Sequence, residues 1–223
     1  MGRYFEENYS MLKHKLVEMG GLVQQVVSSS IKALSTSDVD LARETIQDDE
    51  HVDRLEVEID ELVLKLLALQ QPMAIDLRFL ITALKINNDL ERMGDQATNV
   101  AQNVILLKSV DLKQIDTHHD FESMEQSVME MVQKTIDAFT SGDVELARGV
   151  IAQDDEVDNL NTRIIDKLVN HLRTNPSDAD SCIALLLITR NLERIGDLCT
   201  NIAEDVIYYI EGKIVKHTHV TDG

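Results

Sequence analysis

Apolar residues recur every three or four positions along most of the chain, which is the spacing of one face of an α-helix. The pattern is interrupted by two proline-containing segments, 70–72 and 174–178, and by a polar, aperiodic stretch at 109–118 that predicts a linker. Helices are predicted over residues 5–35, 38–69, 75–108, 120–140, 143–173 and 179–212. The pattern therefore predicts an all-α protein.

The same order of segments occurs twice. Asp38–Arg43 parallels Asp143–Arg148, 105 residues later, and Leu90–Asp95 returns as Leu192–Asp197, 102 residues later. The offset changes only across the proline loops, where a change of length disturbs the fold least. A solenoid would normally need more than two copies, so two bundles side by side are preferred. The repeat predicts two tandem three-helix bundles, over residues 1–110 and 116–212, followed by a flexible tail over 213–223.

Composition and charge narrow the possible partners. The chain has 223 residues, 43% of them apolar, and a net charge of −19 from 40 acidic and 21 basic residues. This charge works against a nucleic-acid backbone or an anionic lipid surface as the main partner. No apolar run long enough for a transmembrane helix is present, and the N-terminus lacks the apolar stretch of a signal peptide. Cys182 and Cys199 lie about 25 Å apart on one predicted helix, too far for a disulfide.

The duplicated segments carry acidic residues four positions apart, which places them on one helix face. These faces lie beside the apolar stripes, so acids of neighbouring helices can meet at the edge of each bundle. Carboxylate oxygens, without thiolate or imidazole, suit hard cations. The candidate metal ligands are Asp49, Asp53, Glu91 and Asp95 in the first repeat and Asp154, Asp158, Glu193 and Asp197 in the second.

The alternative is that these acids only solvate a helix face, and for one isolated pair it would be preferred. Four pairs placed symmetrically in two repeats favour metal binding instead. Two like charges about 4 Å apart repel by roughly 4 kcal/mol at an effective dielectric near 20. A cation, a raised pKa or an arginine must offset that repulsion. Arg92 and Arg194 are near in sequence, but each points about 100° away from the preceding glutamate.

Residues beside the candidate ligands leave the set open. Asn99 and Asn201 are one turn beyond the second acid and could bind the cation, cap or pack. Glu50 and Asp155 adjoin the first acid of each pair and could replace it. Glu56 and Asp60 lack acidic counterparts in the second repeat and are expected to be solvated.

Glycine is unfavourable within helices, so Gly94 and Gly196 indicate close helix approach or access to the site.

The duplicated Leu-Glu-Arg-(Met/Ile)-Gly-Asp segments at 90–95 and 192–197, with the acidic segments at 48–53 and 154–158, resemble the PhoU family. The resemblance spans about residues 3–212. It implies a cytoplasmic, homodimeric pair of three-helix bundles that carries metal ions on carboxylate clusters. Iron is the preferred metal, with zinc, manganese or magnesium as alternatives. The family's paired metal motifs fall on the same eight acids, although the family often has glutamate where this chain has Asp49 and Asp154.

Two functional hypotheses follow. The resemblance implies a non-enzymatic adaptor between the ATPase subunit of a phosphate ABC transporter and a PhoR-like sensor histidine kinase, which represses phosphate uptake and phosphate-starvation signalling. No nucleophile beside a base and no phosphate-binding Gly-rich loop is found in the sequence, which agrees with a non-enzymatic role. The alternative is a metal-dependent phosphohydrolase whose carboxylate-bound cluster activates water.

Overall fold

The computed structural model describes residues 2–70, 72, 74–107, 117–213 and 215. Its helices are α1 (Gly2–Thr36), α2 (Val39–Asp48), α3 (Glu50–Gln70), α4 (Ala74–Leu106), α5 (His118–Ser141), α6 (Val144–Thr174) and α7 (Ala179–Glu211). A short 3-10 turn, Pro176–Asp178, precedes α7. The described residues contain no strand, so the all-α prediction is confirmed.

One predicted helix is divided in the structure. The pattern predicts a continuous helix over 38–69, but the chain forms α2 and α3 with a break at Asp49, whereas the equivalent α6 is continuous. Asp49 keeps helical backbone angles, φ −62° and ψ −27°. Its carbonyl oxygen accepts from the backbone N–H groups of both Val52 and Asp53, at 2.8 and 3.1 Å. The break is therefore a local tightening of the hydrogen-bond pattern, which the apolar spacing does not record.

Helices α2 and α6, which are equivalent in the two repeats, begin at matching N-terminal caps. Asp38 accepts from two backbone N–H groups of α2, and Asp143 does the same for α6. Most of the predicted linker and tail lies outside the described residues. Helix α5 begins at His118, two residues earlier than predicted. The buried Asp120 in its first turn pairs with Lys167 of α6 at 2.8 Å, which ties the two helices together.

With α2 and α3 counted as the two parts of one divided helix, each repeat forms a three-helix bundle, and the two bundles share one continuous apolar core. In the first repeat α1 packs against α3 and α4, and in the second α5 packs against α6 and α7. Between the repeats α4 packs along α7 and α1 packs against α5, so equivalent helices meet. Lys85 of α4 pairs with the buried Asp205 of α7 at 3.0 Å across this contact. The two tandem three-helix bundles are thus confirmed.

Two further features limit the chemistry. Cys182 and Cys199 are both free and buried in α7. None of the described helices is at once long enough and apolar enough to cross a lipid bilayer.

Candidate metal centre

The first acidic cluster forms where α4 packs against the junction of α2 and α3. Asp49 lies at that junction, Asp53 follows one turn later, and Glu91 and Asp95 lie one turn apart on α4. The structure brings the four together, because Asp53, Asp95 and Asp49 each contribute to raising the pKa of Glu91. Within the described part of the chain, no lysine or arginine pairs directly with any of the four.

Asp49 is the buried member of this cluster, with 8% of its surface exposed. Its Oδ2 accepts a hydrogen bond from Thr98 Oγ1 at 3.0 Å, and its Oδ1 is buried without a partner among the described residues. Burial raises the pKa of Asp49 to about 6, with Asp53 and Asp95 adding to the rise and the Thr98 hydrogen bond opposing it. A buried carboxylate oxygen without a partner is unfavourable unless a proton or a cation reaches it.

Gly94 makes this arrangement of Asp49 possible. A Cβ atom at position 94 would lie 2.5 Å from Asp49 Oδ1, closer than carbon and oxygen can approach without movement. Glycine therefore lets α4 come close enough to enclose the carboxylate. The expectation that glycine here reflects close approach is confirmed.

Glu91, Asp95 and Glu56 complete the first cluster. Burial, and after it the charges of Asp95 and Glu56, raise the pKa of Glu91 to about 7. The pKa of Asp95 is also raised, by burial and by Asp53. Glu56 was expected to be solvated, but it is half-buried and its own pKa is raised by burial and by Asp60. Asp60 is not simply solvated either, since it accepts from Asn87 Nδ2 at 2.9 Å.

The second cluster repeats this arrangement between α6 and α7. Burial, together with the charges of Asp197 and Asp158, raises the pKa of Asp154 to about 6. Burial also raises the pKa of Glu193 and of Asp197. The exposed carboxylates are those of Asp53 and Asp95 in the first cluster and of their equivalents Asp158 and Asp197 in the second. The eight acids therefore form two groups of four, as the sequence pairing predicts.

The two clusters differ in three ways. The charges of Arg190 and Arg194 lower the pKa of Glu193 and Asp197, whereas no arginine acts on the first cluster in this way. Thr200 lowers the pKa of Asp154 but forms no hydrogen bond as close as that of its equivalent, Thr98. A Cβ at Gly196 would lie 3.5 Å from Asp154 Oδ1, which is ordinary contact. The second cluster is therefore less tightly enclosed and better compensated.

The donor chemistry fits a hard cation, although the side chains do not form a finished coordination shell. Every candidate donor is a carboxylate oxygen, and the first cluster includes an enclosed oxygen without a partner. In the described part of the chain, however, no three His, Cys, Asp or Glu side chains are arranged so that they could hold a metal ion as they stand. A cation would therefore need the exposed carboxylates, those of Asp53, Asp95, Asp158 and Asp197, to turn inward.

The additional ligand candidates take different positions. Glu50 and Asp155 are exposed, and Asp155 contributes to the raised pKa of Asp154. Asn201 lines a cleft between α4 and α7. Sequence reasoning missed the role of Thr98 as the donor to Asp49. Its duplication with Thr200, in step with the acids, is the signal that could have shown it.

Comparison with known proteins gives a consistent result. The family model described as "PhoU domain" matches the chain twice, over residues 16–104 and 121–206. The chain is 35% identical over 209 residues to a protein of Caulobacter vibrioides named "Phosphate-specific transport system accessory protein PhoU homolog", covering 94% of this chain and 90% of that protein. It is 37% identical over 210 residues to the protein of the same name from Aquifex aeolicus, covering 94% of each.

Solved structures agree with these relationships. The crystal structure of PhoU from Pseudomonas aeruginosa superposes with a TM-score of 0.87 at 33% identity, covering 94% of this chain and 100% of that chain. The phosphate transport system regulatory protein PhoU from Streptococcus pneumoniae superposes with a TM-score of 0.84 at 26% identity, covering 95% of this chain and 99% of that chain.

Proposed function

Since this chain belongs to the PhoU family, we propose that it is an accessory protein of a phosphate-specific transport system and represses phosphate uptake and phosphate-starvation signalling. The names of its relatives and the regulatory title of the Streptococcus pneumoniae structure support this role. In this proposal the protein acts in the cytoplasm as a homodimeric adaptor. Its partners are the ATPase subunit of the phosphate ABC transporter and a PhoR-like sensor histidine kinase.

We further propose that the two acidic clusters bind metal ions, with iron preferred and zinc, manganese or magnesium as alternatives. The observation that carries this proposal is the enclosed Oδ1 of Asp49, which lies among three other carboxylates without a partner in the described chain. The proposed ligands are Asp49, Asp53, Glu91, Asp95, Asp154, Asp158, Glu193 and Asp197. A bound cation would neutralise these groups and so stabilise the contact of α4 with α2 and α3, and of α7 with α6.

The regulatory role is tested by deleting the gene and measuring phosphate uptake and starvation-gene expression in high phosphate. We expect both to rise, because a repressor has been lost. Wild-type protein supplied in trans should restore repression. Unchanged uptake and expression in the deletion strain would contradict the proposal.

Metal binding is tested by elemental analysis of protein purified without chelator, together with melting curves before and after chelation. The variant Asp53→Asn with Asp158→Asn removes one equivalent ligand from each cluster. We expect it to lose bound metal and the stabilisation that metal gives. Glu61→Gln with Asp166→Asn is the matched control, because these exposed acids occupy equivalent positions of α3 and α6. Equal metal content in the two variants would show that the clusters are not the site.

The non-enzymatic character of the protein is tested separately. Metal-loaded protein incubated with a panel of phosphoesters should release no phosphate above the rate of the Asp53→Asn and Asp158→Asn variant. Turnover that depends on these acids would favour the phosphohydrolase alternative, in which the carboxylates hold a water-activating cation.

A further inference from the structure

A cleft of about 500 Å³ opens where α4 of the first repeat packs along α7 of the second. It is lined by Arg92 and Gln96 from α4 and by Arg194, Asp197, Leu198, Thr200 and Asn201 from α7. Only Asp197 also belongs to an acidic cluster. The cleft therefore adjoins the second acidic cluster on the side where the two repeats meet.

Two arginines converge in this cleft because equivalent helices meet there. Arg92 and Arg194 occupy the same position of the duplicated segment, 102 residues apart, and both line the cleft. Two guanidinium groups in one cleft repel each other, unless an anion lies between them.

Neither arginine is held by a strong partner in the described chain. Arg92 approaches Asp89 at 3.5 Å, and 56% of its side chain is exposed, so this pair contributes little. Arg194 forms no direct ion pair with a described residue, although its charge lowers the pKa of Glu193 and Asp197. The planar donor groups of both side chains are thus available to a ligand, and a guanidinium group binds tetrahedral oxyanions through two parallel hydrogen bonds.

The cleft also contains buried polar atoms that lack partners. Gln96 Oε1 is buried and accepts no hydrogen bond within the described residues, and Thr200 Oγ1 is buried without a close partner there, although it lowers the pKa of Asp154. An amide oxygen needs a donor, and a hydroxyl group can donate or accept. A fully ionised anion could satisfy the arginines and Thr200 but would leave Gln96 Oε1 without a partner. A protonated oxyanion, with acceptor oxygens and one O–H group, would satisfy all four.

We propose that this cleft binds a phosphoryl group, either as free hydrogen phosphate or as the phosphate of a small nucleotide. Arg92 and Arg194 bind its oxygens from opposite repeats. The side chains of Gln96 and Thr200, whose polar atoms are buried, turn towards it, so that Thr200 donates to it and its O–H group donates to Gln96 Oε1. Because the site takes one arginine from each repeat, its occupant holds α4 and α7 together. The inference rests on these cleft residues and on neither the proposed metal ions nor the proposed partners.

The test is equilibrium dialysis of the full-length protein against labelled inorganic phosphate, at neutral pH and physiological ionic strength. We expect saturable binding of one phosphate per chain. Arg92→Gln and Arg194→Gln should each weaken it by roughly ten- to a hundredfold, since each removes a charge-assisted contact. Arg92→Lys keeps the charge but loses the planar donor group, and it should weaken binding by an intermediate factor.

The matched control is Arg43→Gln with Arg148→Gln, because these arginines are also equivalent between the repeats and lie outside the cleft. Arg43 pairs with Asp40, and Arg148 pairs with Glu211. The control removes the same total charge and should leave phosphate binding within about twofold of wild type. Equal losses in the control and in Arg92→Gln with Arg194→Gln would overturn the site, since binding would then follow net charge alone.

Competing ligands identify the occupant. Adenosine monophosphate displacing labelled phosphate at lower concentration than unlabelled phosphate would assign the cleft to a nucleotide, and the reverse order would assign it to free phosphate. Sulfate carries no proton at neutral pH, so it should compete at least about tenfold less well than phosphate. Sulfate competing as well as phosphate, or wild-type protein binding no phosphate, would refute the proposal. Circular dichroism and melting curves show whether each variant is folded.

Discussion

The two duplicated glycines give a direct test of the first acidic cluster. Gly94→Ala and Gly196→Ala make the same change at equivalent positions of α4 and α7. Each gains up to about 1 kcal/mol in the free energy of unfolding, because alanine favours a helix over glycine. At position 94 the new Cβ would lie 2.5 Å from Asp49 Oδ1, whereas at position 196 the nearest atoms are 3.5 Å away. Only the first substitution therefore forces movement.

The magnitude follows from what must move. Asp49 is buried and held by Thr98, so its carboxylate cannot simply swing into solvent. Overpacking of this kind costs about 1–3 kcal/mol. Loss of the Thr98 hydrogen bond adds about 1 kcal/mol. The helix contribution is common to both variants, so Gly94→Ala should be about 2–4 kcal/mol less stable than Gly196→Ala.

The assay is urea unfolding of both variants and wild type, all treated with chelator, followed by circular dichroism. Gly149→Ala is the control for helix propensity alone, because a Cβ at this exposed position of α6 meets nothing within 4 Å. Gly149→Ala and Gly196→Ala should match each other within about 0.5 kcal/mol. If the Gly94→Ala variant were as stable as the Gly196→Ala variant, the reasoning would be refuted. Equal stability would show that the enclosed carboxylate of Asp49 moves aside at no cost in free energy.

Three further predictions concern the same clusters. Thr98→Val should lower the free energy of unfolding by about 1 kcal/mol and raise the pKa of Asp49, whereas Thr200→Val should change the free energy of unfolding little. Urea unfolding and NMR titration of the carboxylates measure these effects. Equal effects of the two substitutions would contradict the prediction. In chelator-treated protein, the free energy of unfolding should fall as the pH rises from about 4 to about 7. The pKa is raised to about 6 for Asp49 and Asp154 and to about 7 for Glu91. The folded chain therefore binds more protons than the unfolded chain in that pH range. Melting curves that rise through the window would oppose this assignment. Removing metal should lower the melting temperature of the wild-type protein, and it should lower that of the Asp53→Asn and Asp158→Asn variant much less. Identical shifts would show that the clusters do not bind the stabilising cations.

The helices and the repeat could be predicted from the sequence because each follows from a regular spacing of residues. The three- and four-residue apolar spacing is sufficient to predict the helices, since burying one helix face against a bundle requires that spacing. The repeat offsets predict two equivalent bundles and pair each acid with its counterpart. The break at Asp49 could not be predicted, because the apolar spacing continues through it. Asp49 itself also keeps helical backbone angles.

The role of individual side chains depended on neighbours that are distant in the sequence. Glu56 has no acidic counterpart in the second repeat, yet it contributes to the raised pKa of Glu91, because α3 and α4 pack together. Gly94 and Gly196 are equivalent by sequence, but only Gly94 lies too close to a carboxylate oxygen to carry a Cβ atom. The distances from the two Cβ positions to the facing carboxylate oxygens, 2.5 and 3.5 Å, decide this effect, and no residue pattern records them.

The sequence by itself determined the helical segments apart from the break at Asp49, the duplication, the family and the eight acids, because each depends on residue types at fixed local spacings. Only the tertiary structure decided that one Asp49 oxygen is enclosed without a partner, that Thr98 holds the other, and that Arg92 and Arg194 share a cleft. These facts depend on how closely and at what angle α4 meets α2, α3 and α7. That approach is set by packing of the whole core, in which every helix constrains the others.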